Sequence, residues 1–154
     1  MRTNGTGSAQ ALSPEELAAW RGMLVAHATA IPALDAEMLA AHGITLPAYE
    51  VLMFLADQPD RRLRMSDLAQ QVLLSRSGCT RLVDRLQKLG YVTRCSADTD
   101  GRGLYAELTE PGLTLLEAAR NTHHAGVRRH FLDHLTPTDQ IVLADIWSRR
   151  NSRP

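Results

Sequence analysis

Several things are scarce in this chain, and each scarcity excludes something. Only two cysteines occur, Cys79 and Cys95, too few for a disulfide framework, so a reducing compartment is the default. The opening MRTNGTGSAQ has one charge and no apolar core and does not have the form of a secretory signal. No apolar run is expected to approach the roughly 20 residues that span a bilayer. These features predict a cytoplasmic chain with no membrane partner. There is no glycine-rich phosphate loop, nucleophile elbow or zinc-protease motif. Ser77 with any of the six histidines would form a triad only by coincidence. No enzyme, resident cofactor or structural metal is therefore expected.

Net charge is also lacking: 17 Lys and Arg offset 17 Asp and Glu. The distribution matters more than the sum. Between residues 61 and 102 lie nine bases (Arg61, Arg62, Arg64, Arg76, Arg81, Arg85, Lys88, Arg94, Arg102) against four acids (Asp67, Asp84, Asp98, Asp100). A basic middle thus sits between acidic flanks, as nucleic-acid binding requires, although surface charge also clumps at random.

What is present is helix punctuation. At 154 residues the chain suits one domain with a real core. Residues 1–12 are small and polar and read as a disordered tail. Ser13-Pro14-Glu15-Glu16 has the cap, proline and glutamate that start a helix. Apolar residues continue it to about Ala41, with Pro32 expected to kink or break it and Gly43 to end it. Thr45 caps a second helix over 46–57. Residues 61–65 suit a single short strand, and Ser66 is expected to cap a brief helix over 67–72. A further helix follows Ser75 and stops at Gly90. Residues 91–97 and 104–109 read as strands around an Asp- and Gly-rich turn. A long helix over 110–133 and a last one from Pro137 to about Arg149 complete the chain.

This order predicts a mainly α fold with a small β-hairpin wing, a winged helix-turn-helix. The DNA-binding lobe would cover 44–110, between helical segments over 13–43 and 111–150. Its second helix, LSRSGCTRLVDRL, is the most informative stretch. At about 100° per residue, Cys79, Leu82, Val83, Leu86 and Leu89 share one face. Arg76, Ser77, Thr80, Arg81, Asp84 and Lys88 share the other. Arginine pairs bidentately with guanine in the major groove, so Arg76, Ser77, Thr80 and Arg81 are candidates for reading bases. Ser75 is partly occupied as the cap. Arg85 and Lys88, nearer the helix end, suit phosphates, and Arg94 belongs to the basic wing. The plain alternative is a solvated face with an Asp84–Lys88 pair.

The segment LSRSGCTRLVDRLQKLGYVTRCSADTDGRGLYAELTEPG resembles the recognition helix and wing of the MarR family of transcriptional regulators. The likeness rests on Ser75-Arg76-Ser77, Thr80-Arg81-Leu82-Val83-Asp84-Arg85-Leu86, Gly90-Tyr91-Val92, and Asp100-Gly101-Arg102 ahead of Leu108-Thr109. It extends upstream through HGITLPAYEVLMFLAD and, weakly, over about 13–150. The resemblance implies that Arg102 enters the minor groove, where narrow A·T tracts attract guanidinium, with Asp100 holding it. It also implies a homodimer on a palindromic double-stranded operator, joined through N- and C-terminal dimerisation helices over 13–43 and 111–150. Trp20, Leu24, Phe131, Leu135, Ile141, Leu143 and Trp147 fit that interface, or else a monomer core.

Family members commonly answer a small molecule, a metal or an oxidant. A pocket for an unknown small-molecule effector would draw on Trp20, Met23, His27, Met38, His42, Tyr49 and Met53, although a row of Met and aromatics is also plain core. His123, His124, His130 and His134 could begin a zinc site, with His27 or His42 completing it, but a site needs further ligands. Cys79 faces the core and is expected to be a structural thiol rather than an oxidant sensor. The resulting reading is an effector-released repressor. Its rivals are a zinc-responsive regulator and a protein-interaction adaptor that never touches DNA.

Overall fold

The computed structural model describes residues 11–96 and 103–151. Asp98, Asp100 and Arg102 and most of the N-terminal tail lie outside them. The elements run α1 (Pro14–His42), α2 (Leu46–Ala56), β1 (Arg62–Arg64), α3 (Met65–Gln71), α4 (Arg76–Lys88), β2 (Val92–Ser96), β3 (Leu104–Leu108), α5 (Glu110–His130) and α6 (Pro137–Asn151). A single 3-10 turn, Leu132–His134, links the last two helices.

α1 begins as its sequence dictates. Ser13 Oγ accepts from Glu16 N, and Glu16 reaches back to Ser13 N at 2.7 Å, satisfying amides that a bare helix end would leave open. At the far end Gly43 takes φ +69, the left-handed cap conformation that glycine adopts without strain. Of the two outcomes expected at Pro32, a kink or a break, the break does not occur: α1 is continuous through it. The helix also carries an 18-residue window of mean hydropathy 1.2, enough by length and composition alone to cross a membrane. The expectation of no such stretch fails because alanines sustain apolarity between the larger side chains. Only Leu34 and Met38 of this helix are buried.

α2 is the centre of the core. Leu46, Ala48, Tyr49, Val51, Leu52 and Leu55 are all buried, several on each side of the helix, so neighbours cover it nearly all round. Asp35 Oδ1 on α1 accepts from Leu46 N at 2.6 Å, tying the start of α2 to the long helix. Around α2 pack Leu68, Val83, Leu86, Val92, Ala106 and Leu116. Each fully buried aliphatic side chain contributes about 1.5–3 kcal/mol relative to exposure.

α3 starts two residues earlier than its serine suggests. Its N-cap is Arg64, with no side-chain cap bond, and Ser66 sits inside the first turn, donating to Asp67 Oδ1 at 3.1 Å. Leu73, in the turn between α3 and α4, takes φ +55 and is 91% exposed. The short strand is not isolated. β1 pairs antiparallel with β3, giving a three-stranded sheet in the order β1-β3-β2. Thr109 anchors the base of the wing, its Oγ1 donating to Gly90 O at 2.6 Å and accepting from Gly112 N. Gly112 has no room for a Cβ, which would strike the Tyr91 carbonyl.

Candidate nucleic-acid interface

α4 divides into two faces. Cys79, Leu82, Val83 and Leu86 are buried, while Ser75, Arg76, Ser77, Thr80, Arg81, Arg85 and Lys88 are all exposed. Leu89 leaves the apolar stripe: as the helix C-cap it is 55% exposed. Ser75 caps the helix as expected, its Oγ accepting from Gly78 N at 3.1 Å and lying 3.3 Å from Ser77 Oγ. Among the described residues Arg76, Arg81, Arg85 and Lys88 form no ion pair with a carboxylate. A face of unpaired donors at the start of a helix, whose dipole adds positive potential, is arranged for an anion or for base-edge acceptors.

Two pairings depart from the sequence reading. Asp84 does not pair with Lys88. Its Oδ1 accepts from Arg94 Nη2 at 2.8 Å, and the same nitrogen donates to Thr80 O at 3.2 Å. Arg94 is therefore not a free wing cation. It lies on the inward side of β2, its side chain 22% exposed, and it ties wing to helix. The alternation along β2 that turns Thr93 outward turns Arg94 in, and strand register is hard to read before the pairing is known.

The sequence reading passed over a basic cluster on the other side of the sheet. Arg62 and Arg64 both stand over the Tyr105 ring, their guanidinium carbons 5.1 and 5.4 Å from its centroid. Arg64 Nε donates to Tyr105 Oη at 2.8 Å. The spacing of two in Arg62-Leu63-Arg64 was a visible signal, but the partner Tyr105 lies 41 positions away. Wing residues Asp100 and Arg102 lie outside the described residues. Gly103, immediately after Arg102, packs against Tyr105 and Arg64.

Residues 42–103, which hold the α4 face and the wing root, match the model of the MarR family. The whole fold matches too. A DNA-complexed crystal structure of Sco3205, a MarR family transcriptional regulator from Streptomyces coelicolor, superposes with a TM-score of 0.87 at 33% identity, over 95% of this chain and 91% of that one.

The chain belongs to the MarR family.

AbsC, another Streptomyces coelicolor regulator of the MarR family, agrees at a TM-score of 0.83 and 33% identity, over 94% of this chain and all of that one. The transcriptional repressor MprA of Escherichia coli is 33% identical over 112 residues, 73% of this chain. The chain spans 54% of MprA's length, about half. These relatives are transcriptional regulators rather than enzymes.

Within this MarR-family chain, the proposed effector residues differ in their surroundings. Met23 and His27 do share a cleft between α1 and α5, about 290 Å³, with Leu34, Gly126, His130 and Phe131. Trp20 is 54% exposed. Tyr49 and Met38 are core, and Met53 packs against that core. Nε2 of His42 is 2.8 Å from Thr122 Oγ1. For those core residues the plain reading of a Met and aromatic row holds.

The histidines are likewise dispersed. His130 Nε2 lies 2.8 Å from Glu37 Oε1, and Arg129 pairs with the same oxygen. These contacts, the His130 bond foremost, hold the Glu37 carboxyl below its usual range. His123 stacks on Tyr49 with ring centroids 4.4 Å apart, and burial pushes its pKa down. Among the described residues no three His, Cys, Asp or Glu side chains converge as a metal site would require. Cys79 is fully buried, and burial raises its thiol pKa, the reverse of what a reactive thiolate needs.

Proposed function

We propose that this chain is a transcriptional regulator that binds a palindromic double-stranded DNA operator as a homodimer, and that it is a cytoplasmic repressor released by a small-molecule effector. The observation that carries the reading is the exposed face of α4. Arg76, Ser77, Thr80 and Arg81 are exposed there, while the one acid of that helix is held by Arg94. On this reading Arg76 and Arg81 read bases in the major groove. Arg85 and Lys88 contact phosphates, and Arg102, with Asp100, enters the adjacent minor groove.

Dimerisation accounts for the terminal helices, 13–43 and 111–150 flanking the 44–110 lobe. Along α6, Ile141, Val142, Ile146 and Trp147 are exposed, as are Leu17, Trp20, Leu24 and Val25 on α1. An apolar surface of this extent needs cover, and a second copy supplies matching helices in two-fold symmetry. Two recognition helices then fall about one DNA turn apart, roughly 34–36 Å. An effector in the cleft between α1 and α5 would change that distance and sacrifice one half-site. The repressor reading draws support from MprA, which is a repressor.

The test is selection from random-sequence duplexes, with Arg81→Ala as control. An inverted repeat enriched by the wild type and lost by the variant supports the reading. An unenriched pool favours the protein adaptor. Effector-bound protein that held the operator as tightly as free protein would refute the release mechanism.

A further inference from the structure

We propose that Arg62 and Arg64, braced on Tyr105, form a second phosphate-binding site that grips duplex DNA on the outer flank of the wing. The inference rests on the DNA-binding reading above and extends it to a surface that neither α4 nor the wing loop supplies.

Strand geometry places the cluster. Arg62, Leu63 and Arg64 oppose Glu107, Ala106 and Tyr105. Ala106 is fully buried, so side chains alternate: Leu63 faces the core, and the two arginines and Tyr105 face out. α4 lies on the other side of the sheet, tied there by Arg94 and Asp84. The two arginines therefore occupy a face that the recognition helix does not share.

The electrostatics are unusual for a merely structural patch. Two guanidinium groups stand over one ring, each within 5.4 Å of its centroid, so two positive charges share one aromatic support. Their neighbour Arg61 is paired with Glu110 at 2.6 Å, but among the described residues neither Arg62 nor Arg64 has a carboxylate partner. The carboxylate of Glu107, opposite Arg62, accepts from Cys95 Sγ at 3.7 Å. Arg64 spends Nε on Tyr105 Oη, which fixes its plane and aims its terminal donors. Guanidinium forks with no carboxylate partner among the described residues, one of them fixed in plane, suit phosphate oxygens, which accept two parallel bonds.

Position selects the duplex backbone as the anion. A Cβ on Gly103 would lie 3.7 Å from Arg64 Cζ and Nη1, so the guanidinium sits against the backbone one residue after Arg102. A groove that receives Arg102 is bounded by phosphates. Those on the side away from α4 are the ones that reach Arg64, with Arg62 next along the strand.

The deciding experiment titrates the selected operator in two lengths, one trimmed to the half-sites and one with about one extra helical turn on each side. Wild type, an Arg62→Gln/Arg64→Gln double variant and Arg81→Ala are compared across a range of salt. On the long duplex the double variant is expected to bind roughly tenfold more weakly at low salt. Its log–log salt slope should flatten by about 0.9 for each phosphate that is no longer neutralised, with base preference unchanged. On the trimmed duplex it should match wild type. Equal affinity and slope on the long duplex overturn the proposal, and so does an equal reduction on both lengths. Exposed Arg64→Gln alone should show about half the slope change, so the test survives if the double variant folds poorly. Wild type that binds no duplex refutes the DNA-binding reading itself. Wild type that binds, with Arg81→Ala impaired and the double variant normal, refutes only this inference.

Discussion

Arg94 on β2 and Asp84 on α4 are joined at 2.8 Å, so the wing is oriented by the same helix that carries the base-reading candidates. The pair acts through position. Asp84→Asn is expected to cost about 1 kcal/mol or less in stability, since the pair is partly solvated. It should weaken operator binding by letting the wing tilt. Because the cations that meet phosphate are all retained, the log–log salt slope should stay at its wild-type value. A flatter slope in Asp84→Asn would show that the pair does more than orient.

Arg76→Ala and Arg81→Ala should each cost about 1–3 kcal/mol of operator affinity and relax base preference at one position per half-site. Selection followed by sequencing of the retained pool measures both. Unchanged preference in both variants would remove α4 as the reading element.

Gly126 on α5 lets the long helix approach closely, since a Cβ there would collide with Leu34 Cδ1 and crowd Glu37. Gly126→Ala should destabilise the fold by about 1–3 kcal/mol through overpacking. That corresponds to a Tm lower by roughly 2–4 °C per kcal/mol, read by thermal unfolding. The same change also reshapes the cleft that Gly126 lines.

His123 gives a pH dependence with a definite sign. Burial lowers its pKa below the ordinary 6.5, so below that pH the unfolded chain binds a proton that the folded chain does not. Its contribution is fully present above about pH 6.5 and is lost as pH falls through the range between the two pKa values. Tm should therefore decline on acidification from pH 7 more steeply for wild type than for His123→Phe, which keeps a ring against Tyr49. Parallel curves would assign the acid sensitivity elsewhere.

Ile141 is 72% exposed on α6. If that helix pairs with a second copy, Ile141→Asp should weaken dimerisation by about 2 kcal/mol or more, roughly thirtyfold. Sedimentation equilibrium measures it, and an unchanged mass would remove α6 from the interface.

The parts that were legible in the sequence are those governed by local rules. Ser13, Thr45 and Ser75 each cap a helix, because a side-chain oxygen two or three residues from an open amide needs nothing distant. The two faces of α4 follow from the helical period. What was not legible depends on pairing across the chain. Nothing near Arg94 indicates Asp84 as its partner. Nothing near Arg62 and Arg64 indicates Tyr105, because strand register is decided by tertiary packing. The spacing of Met38, Tyr49 and Met53 likewise did not show that Met38 and Tyr49 are buried and that Met53 packs against the core.

The proline inside α1 divides that helix by allegiance. Pro32 has no amide proton, so the carbonyl of Ala28 one turn earlier goes without its helical bond. After this point Leu34 and Met38 are sunk into the chain's own core; before it Trp20, Leu24 and Val25 project outward. Bending at that joint breaks one hydrogen bond fewer than bending elsewhere in the helix. α1 thus has a ready-made joint, its short arm sunk in the chain's own core and its long arm carrying the apolar side chains that face outward.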